Sequence, residues 1–407
     1  MTQLPNPHRD KLRSRCFLFS PASCYPRPAA YLVDEAGSVI HSWSNPTHQL
    51  KPEDNPPSYL RGWNHVEVDA DGSLFAIVPL RALLKLTPES KLEWSCDIAA
   101  HHDLAVRDDG MLFVLTEAPR RVVVDGCAYV ILDNLVTLVD SGGAVKSEVS
   151  LYDILSTDSG LRQLINDAIQ GRSESFRRRG WPTLEDQVPR EVVQETQAIL
   201  GNAGYNGELR RALQRLRALP GKPCDVLHTN TLELLDEHAE GIWNRGDLLL
   251  CMRELNTVAV VDPVRGKVRW WWGAEELSGP HQPSVLPDGR ILVFDNGLNA
   301  RRTSLIVVDP NSREVIWNWS AQPPESFFCP LAGGCERMPN GNLLVTNSTA
   351  GGAFELTMDG QIIWQLTLPV TVYGAEKGRV SIYRMSAVEA DVIAQFSVRT
   401  DVPEESV

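Results

Sequence analysis

HQPSVLPDGRILVFDNGLNARRTSLIVVDPNSREVIWNWS, residues 281–320, reads as one complete structural sentence. An apolar strand, an Asp-Gly turn, a second apolar strand, a variable turn, a strand ending at Asp-Pro and a Trp-bearing strand follow one another. Asp-Gly between alternating apolar runs is a strong short-range hairpin signal, because both turn positions need a positive φ.

The phrase recurs at 64–96, at 101–149 with a longer continuation, at 228–273 and at 333–366, so five copies of about four strands are visible. A half copy, AYLVDEAGSVIHSW (30–43), stands near the start without its first two strands, and GRVSIYRMSAV (378–388) is an unpartnered strand-like run near the end. Joined, they make a sixth unit that closes a ring. Four-stranded units of roughly 40 to 50 residues repeated four to eight times are the pattern of a β-propeller. The expectation is an all-β, six-bladed β-propeller forming a single domain over 1–407. Trp43, Trp94, Trp272, Trp319 and Trp364, near the ends of copies, are expected to pack between blades.

Residues 150–223 break the pattern with helical spacing of Leu and Ile, predicting a helical insertion between blades three and four. An insertion of this size serves as a lid, an interaction surface or a packing cap.

Composition bounds the function. The chain has 407 residues, 43% hydrophobic and 22% charged with eleven tryptophans, enough to build a large core. A net charge of −13 argues against a nucleic-acid partner, since the short cluster Arg177, Arg178 and Arg179 cannot outweigh it. Residues 1–19 hold no apolar run of signal-peptide length, and nowhere do eighteen apolar residues occur in a row. The expectation is a soluble, cytoplasmic protein without membrane contact. Eight scattered cysteines show neither CxxC pairs nor metal-ligand spacing, and are expected to be reduced and mostly buried.

The polar residues of the repeat are more selective. His281 lies seven residues before the turn Asp288, and His102 seven before Asp109. His228 opens the first strand of blade four, and Asn230 shares its face by strand alternation. Arg253 closes the second strand of that blade, level with Asn296 when Gly246 and Gly289 are matched. The start of a blade's first strand and the end of its second share one rim. His102, His228, Asn230, Arg253 and His281 are therefore expected around one mouth of the channel. His65 is offset by one residue, and His8, His41, His48 and His238 fall in loops or at strand ends, so these five are read as structural.

Three histidines can hold zinc or copper, but a fixed guanidinium beside a divalent cation is unfavourable. The same guanidinium flanked by imidazoles suits a tetrahedral oxyanion such as sulfate or phosphate. No metal and no cofactor is expected. Transfer or hydrolysis of such a group by a neutral histidine, acting as nucleophile or general base, is the chemistry suggested. A non-catalytic propeller whose basic rim binds an anionic small molecule or a protein is the alternative.

YLVDEAGSVIHSW, the HxN of residues 228–230, Arg253 in LLLCMRELN, the His281 to FDNG phrase and MPNGNLLV together resemble the arylsulfotransferase family of bacterial arylsulfate sulfotransferases. The resemblance covers most of the chain apart from the helical insertion. It implies a six-bladed propeller that moves a sulfuryl group from a phenolic sulfate ester to a phenolic acceptor without 3′-phosphoadenosine 5′-phosphosulfate. It further implies that His281 is transiently sulfated, that His228, Asn230 and Arg253 bind the sulfate oxygens, and that His102 handles the phenol proton.

Overall fold

The computed structural model describes residues 15–21, 28–48, 62–180, 207–236, 239, 241–368 and 381–397. They include six four-stranded sheets, the blades of a six-bladed β-propeller. Blade two runs from Val66 to Cys96, blade three from Ala100 to Ser150, blade four from Thr229 to Trp272, blade five from His281 to Ser320 and blade six from Gly334 to Thr367. Blade one combines Cys16–Pro21, Ala29–Asp34 and Val39–Ser44 with Ile382–Val388, which pairs antiparallel with Cys16–Pro21. The strand Cys16–Pro21, CFLFSP, is absent from the sequence reading. Every residue in it is buried, so it shows no alternation, and no turn dipeptide follows it.

The turns fold for a local reason. Gly72, Gly110, Gly289 and Gly341 all take positive φ, between 76° and 86°, which a β-carbon would strain. The preceding Asp or Asn accepts from the amide two residues on: Asp71 from Ser73 at 2.8 Å, Asp109 from Met111 at 3.1 Å and Asn340 from Asn342 at 3.0 Å.

The fourth strands carry two aromatic phases rather than one. Trp43, Trp272 and Trp319 stand opposite Ala30, Val258 and Leu305. Trp270 and Trp364, at the bulge, instead donate Nε1–H to the carbonyls of Pro310 and Glu35 on the next blade, each at 2.9 Å. His41 holds the equivalent place in blade one and bonds the Pro88 carbonyl at 2.8 Å, a structural role.

The chain divides into two compact units. One comprises Met1–Ala76, Leu84–Trp94 and Cys335–Val407, and its core joins Phe17, Phe19 and Ile382 of blade one to Leu344 and Ala353 of blade six. The other comprises Ile77–Leu83 and Ser95–Gly334, with blades three to five and the insertion.

In the second unit the insertion begins with helices α1 (Leu151–Leu155) and α2 (Ser159–Arg178) and ends with α3 (Gly207–Ala218). Residues 181–206 of the expected insertion, together with His8, Cys24 and His238, lie outside the described residues. Leu161, Ile165 and Ile169 of α2 recur every four residues and join the core of blades three and four. The second and third strands of blade three, Leu112–Val124 and Cys127–Val139, form a long hairpin around Asp125-Gly126. Leu209, Leu213 and Leu216 of α3 pack on it against Val130 and Leu132.

Candidate functional site

In blades three, four and five the first strand begins with a register break. Ala100 faces Thr116 but Leu104 faces Val114; Thr229 faces Met252 but Thr231 faces Cys251; His281 faces Phe294 but Ser284 faces Leu292. Such bulges re-aim side chains, and a residue in the left-handed region lies within or just before each: His102 (φ 59°), His228 (φ 49°) and Gln282 (φ 36°). A side chain costs about 1–3 kcal/mol in that conformation, and such strain gathers at functional sites. The phase match of His102 with His281 therefore holds in the count from the turn but not in backbone shape, because in blade five the left-handed residue follows the histidine.

His281 is buried, 4% exposed. Its Nδ1 lies 2.6 Å from Asn296 Oδ1 and 3.2 Å from the Gly279 carbonyl. Asn296 is held in turn, its Nδ2 donating to the carbonyls of Cys329 at 2.6 Å and Ala332 at 2.9 Å. Carbonyls only accept, so the Asn296 oxygen must face the ring, and Nδ1 must carry the proton. Nε2 is left with its lone pair. Burial first, and the Arg253 charge second, push His281 down to about 3 despite the bond to Asn296, so the ring is neutral at pH 7.

His102 is fixed by the same logic through its neighbour. His101 Nε2 donates to the Thr116 carbonyl at 3.1 Å, and its Nδ1 lies 2.7 Å from His102 Nδ1. Burial pushes His101 down to about 4, so it is neutral and its Nδ1 accepts the Nδ1–H of His102. His102 is likewise held well below the usual histidine range, by burial and then by its histidine neighbours and Arg217.

His228 has a different partner. Its Nδ1 lies 2.6 Å from Asp225 Oδ2, and the Asp225 side chain is 2% exposed. Burial alone would raise the carboxyl, but the charge and hydrogen bond of His228, with Arg217 and Lys222, hold it well below the usual range. The His102 and His228 rings meet edge-on with centroids 4.9 Å apart.

Arg253 follows the second strand of blade four and opens a single 3₁₀ turn, Arg253–Leu255. Its backbone donates to the His228 carbonyl at 3.2 Å, fixing the two residues side by side. Glu254 pairs with the Arg253 guanidinium and also with Arg172 of α2. Asn230 is fully buried; its Nδ2 donates to the Pro280 carbonyl at 2.9 Å and its Oδ1 accepts from Thr231 Oγ1 at 3.1 Å. These bonds hold the backbone just before His281.

Four of the five expected residues, His102, His228, Arg253 and His281, thus meet at one end of blades three to five, and the buried Asn230 is bonded to the carbonyl that precedes His281. Sequence reasoning missed His101, Asp225 and Arg217, and saw Asn296 only as an alignment mark. Arg217, on α3, forms a two-pronged pair with the buried Glu117 of blade three. A carboxylate three residues before a site histidine, as in DVLH, was the available signal for Asp225. Among the described residues no three His, Cys, Asp or Glu side chains are arranged to hold a metal ion, and no helix is long and apolar enough to cross a membrane.

Residues 187–368 match the family model described as Arylsulfotransferase (ASST), a span that includes His228, Asn230, Arg253, His281 and Asn296. The match and the six-bladed fold support an arylsulfotransferase-like family, the one the sequence resembles. Among curated proteins none matches this chain. Similar solved structures include a protein of unknown function from Bacteroides caccae, 12% identical over 92% of this chain and 99% of that one, with a TM-score of 0.49. They also include a virginiamycin B lyase from Staphylococcus aureus, 12% identical over 77% and 75% of the two chains (TM-score 0.39). A third is a putative 6-phosphogluconolactonase from Bacteroides fragilis, 10% identical over 95% and 100% (TM-score 0.40).

Proposed function

We propose that this protein transfers a sulfuryl group from a phenolic sulfate ester to a phenolic acceptor, without a nucleotide sulfate donor, through a sulfohistidine at His281. The observation that carries the reading is the state of His281: a buried, neutral imidazole whose Nδ1–H is committed to Asn296, leaving the Nε2 lone pair. A neutral nitrogen nucleophile attacks an anionic ester with less repulsion than an anionic one would. Arg253 supplies the fixed charge, and its planar guanidinium suits two oxygens of the sulfuryl group as charge shifts in the transition state. Sulfuryl transfer, like phosphoryl transfer, asks a protein mainly for in-line positioning and electrostatic stabilisation. The arylsulfotransferase match over the segment that holds His228, Arg253 and His281 supports the same reading.

The test is incubation with 4-nitrophenyl sulfate, with and without an acceptor phenol. Nitrophenolate release that requires the acceptor, and a mass gain of one sulfuryl group that His281→Ala abolishes, are the expected results. Acceptor-independent release would make the protein a hydrolase. No release, with inorganic sulfate bound equally by wild type and His281→Ala, would leave an anion-binding propeller.

A further inference from the structure

The three imidazoles have partners of different charge. Asn296 and the neutral His101 back His281 and His102, whereas a buried carboxylate, Asp225, backs His228. An uncharged partner fixes a tautomer; a carboxylate also stabilises the imidazolium that forms when Nε2 gains a proton. Among the described residues the second oxygen of Asp225, Oδ1, is buried without a hydrogen-bond partner, and the side-chain bond of the carboxylate goes to His228.

We propose that the Asp225–His228 pair is the proton carrier of the transfer, with His228 as catalytic acid and base and Asp225 as its positioning residue. This rests on the sulfuryl-transfer reading and departs from the role that the family resemblance gives to His102. In the first half-reaction the His281 Nε2 lone pair forms the N–S bond and the S–O bond to the donor phenol breaks. The electron pair stays on the phenolate oxygen, which takes the Nε2 proton of the His228 imidazolium and leaves as a neutral phenol. In the second, the acceptor phenol gives its proton to neutral His228 as its oxygen attacks sulfur. The S–N bond breaks, its pair returns to His281 Nε2, and His228 is again protonated. Atoms, protons and charge balance over the cycle.

Fixed positive charges stand around the pair: Arg217 and Lys222 act on Asp225, and Arg253 acts on His281. Arg217 and Lys222 both come from the end of the insertion, which gives that insertion a part in the chemistry.

Leaving-group dependence separates this role from a structural one. Phenyl sulfates ranging from 4-nitrophenyl to unsubstituted phenyl are compared for wild type, Asp225→Asn and His101→Gln, each checked for fold by circular dichroism. A good leaving group departs without a proton and a poor one does not. Loss of general acid help should therefore cost Asp225→Asn about 10²-fold more on phenyl sulfate than on 4-nitrophenyl sulfate. His101→Gln should lower all donors by a similar factor. An Asp225→Asn loss that is equal across the series, or a steepened dependence in His101→Gln instead, would overturn the assignment. Absence of turnover with every donor in wild type would reject the transfer reading itself, a result distinct from turnover with an unchanged slope.

Discussion

Asn296 and His281 form a bond that can be made in only one sense. The amide nitrogen of Asn296 is spent on the carbonyls of Cys329 and Ala332, so its oxygen, 2.6 Å from His281 Nδ1, decides which ring nitrogen keeps the proton. The tautomer of His281 is thus set by a neighbouring side chain and not by the ring itself.

Substituting Asn296 tests this directly. Asn296→Ala removes tautomer control, and single-turnover formation of sulfohistidine, followed by intact-protein mass spectrometry, should slow by about 10²-fold or more. Asn296→Asp would favour the imidazolium and abolish the lone pair at neutral pH. Its rate should recover as pH rises and the ring loses that proton, whereas Asn296→Ala should show no recovery.

Arg253 offers a graded test of charge and shape. Arg253→Ala should lower kcat/KM for 4-nitrophenyl sulfate by about 10² to 10³-fold, the usual loss of a transition-state charge donor. Arg253→Lys keeps the charge without the planar fork and should fall between that variant and wild type. Because Glu254 retains Arg172 in either case, thermal melting should shift little.

Arg217 and Glu117 tie α3 to blade three. The Glu117 side chain is fully buried, so Arg217→Ala strands a charge and should cost about 3–5 kcal/mol in urea unfolding. Replacing both, Arg217→Met with Glu117→Leu, should recover most of that loss, because an apolar pair needs no desolvation. A double variant as unstable as the single one would refute the assignment of the loss to the stranded carboxylate.

Stability should fall on the acid side. His281 and His101 are held at about 3 and about 4, against an ordinary 6.5, so below pH 6.5 the unfolded chain binds protons that the folded chain refuses. Folding free energy then drops as pH falls from 6.5 to about 4, by at most about 1.4 kcal/mol per pH unit for each group. Asp295, raised by burial to about 6, acts in the opposite direction over part of that window. Urea midpoints between pH 7 and pH 4 should show a shallower acid limb in His281→Gln than in wild type.

Much of the architecture was legible because its signals are local. Asp-Gly turns, alternating strands and recurring tryptophans each depend on a few adjacent residues, and they marked blades two to six and the insertion. Cys16–Pro21 escaped because a fully buried strand has no alternation to read, and its partner Ile382–Val388 lies at the far end of the sequence.

His102, His228, Arg253 and His281 could be placed at one rim because strand period and turn position fix where a strand begins. That much the sequence by itself determined. The partners of their second ring nitrogens were decided by tertiary structure. His101 should oppose His102 across the strand, yet a left-handed bulge brings their Nδ1 atoms to 2.7 Å. Arg217 reaches Glu117 across 100 residues, through a helix that packs on a hairpin. A histidine's position follows from local backbone geometry, but the proton it carries follows from whichever donor or acceptor the folded chain sets against its other nitrogen.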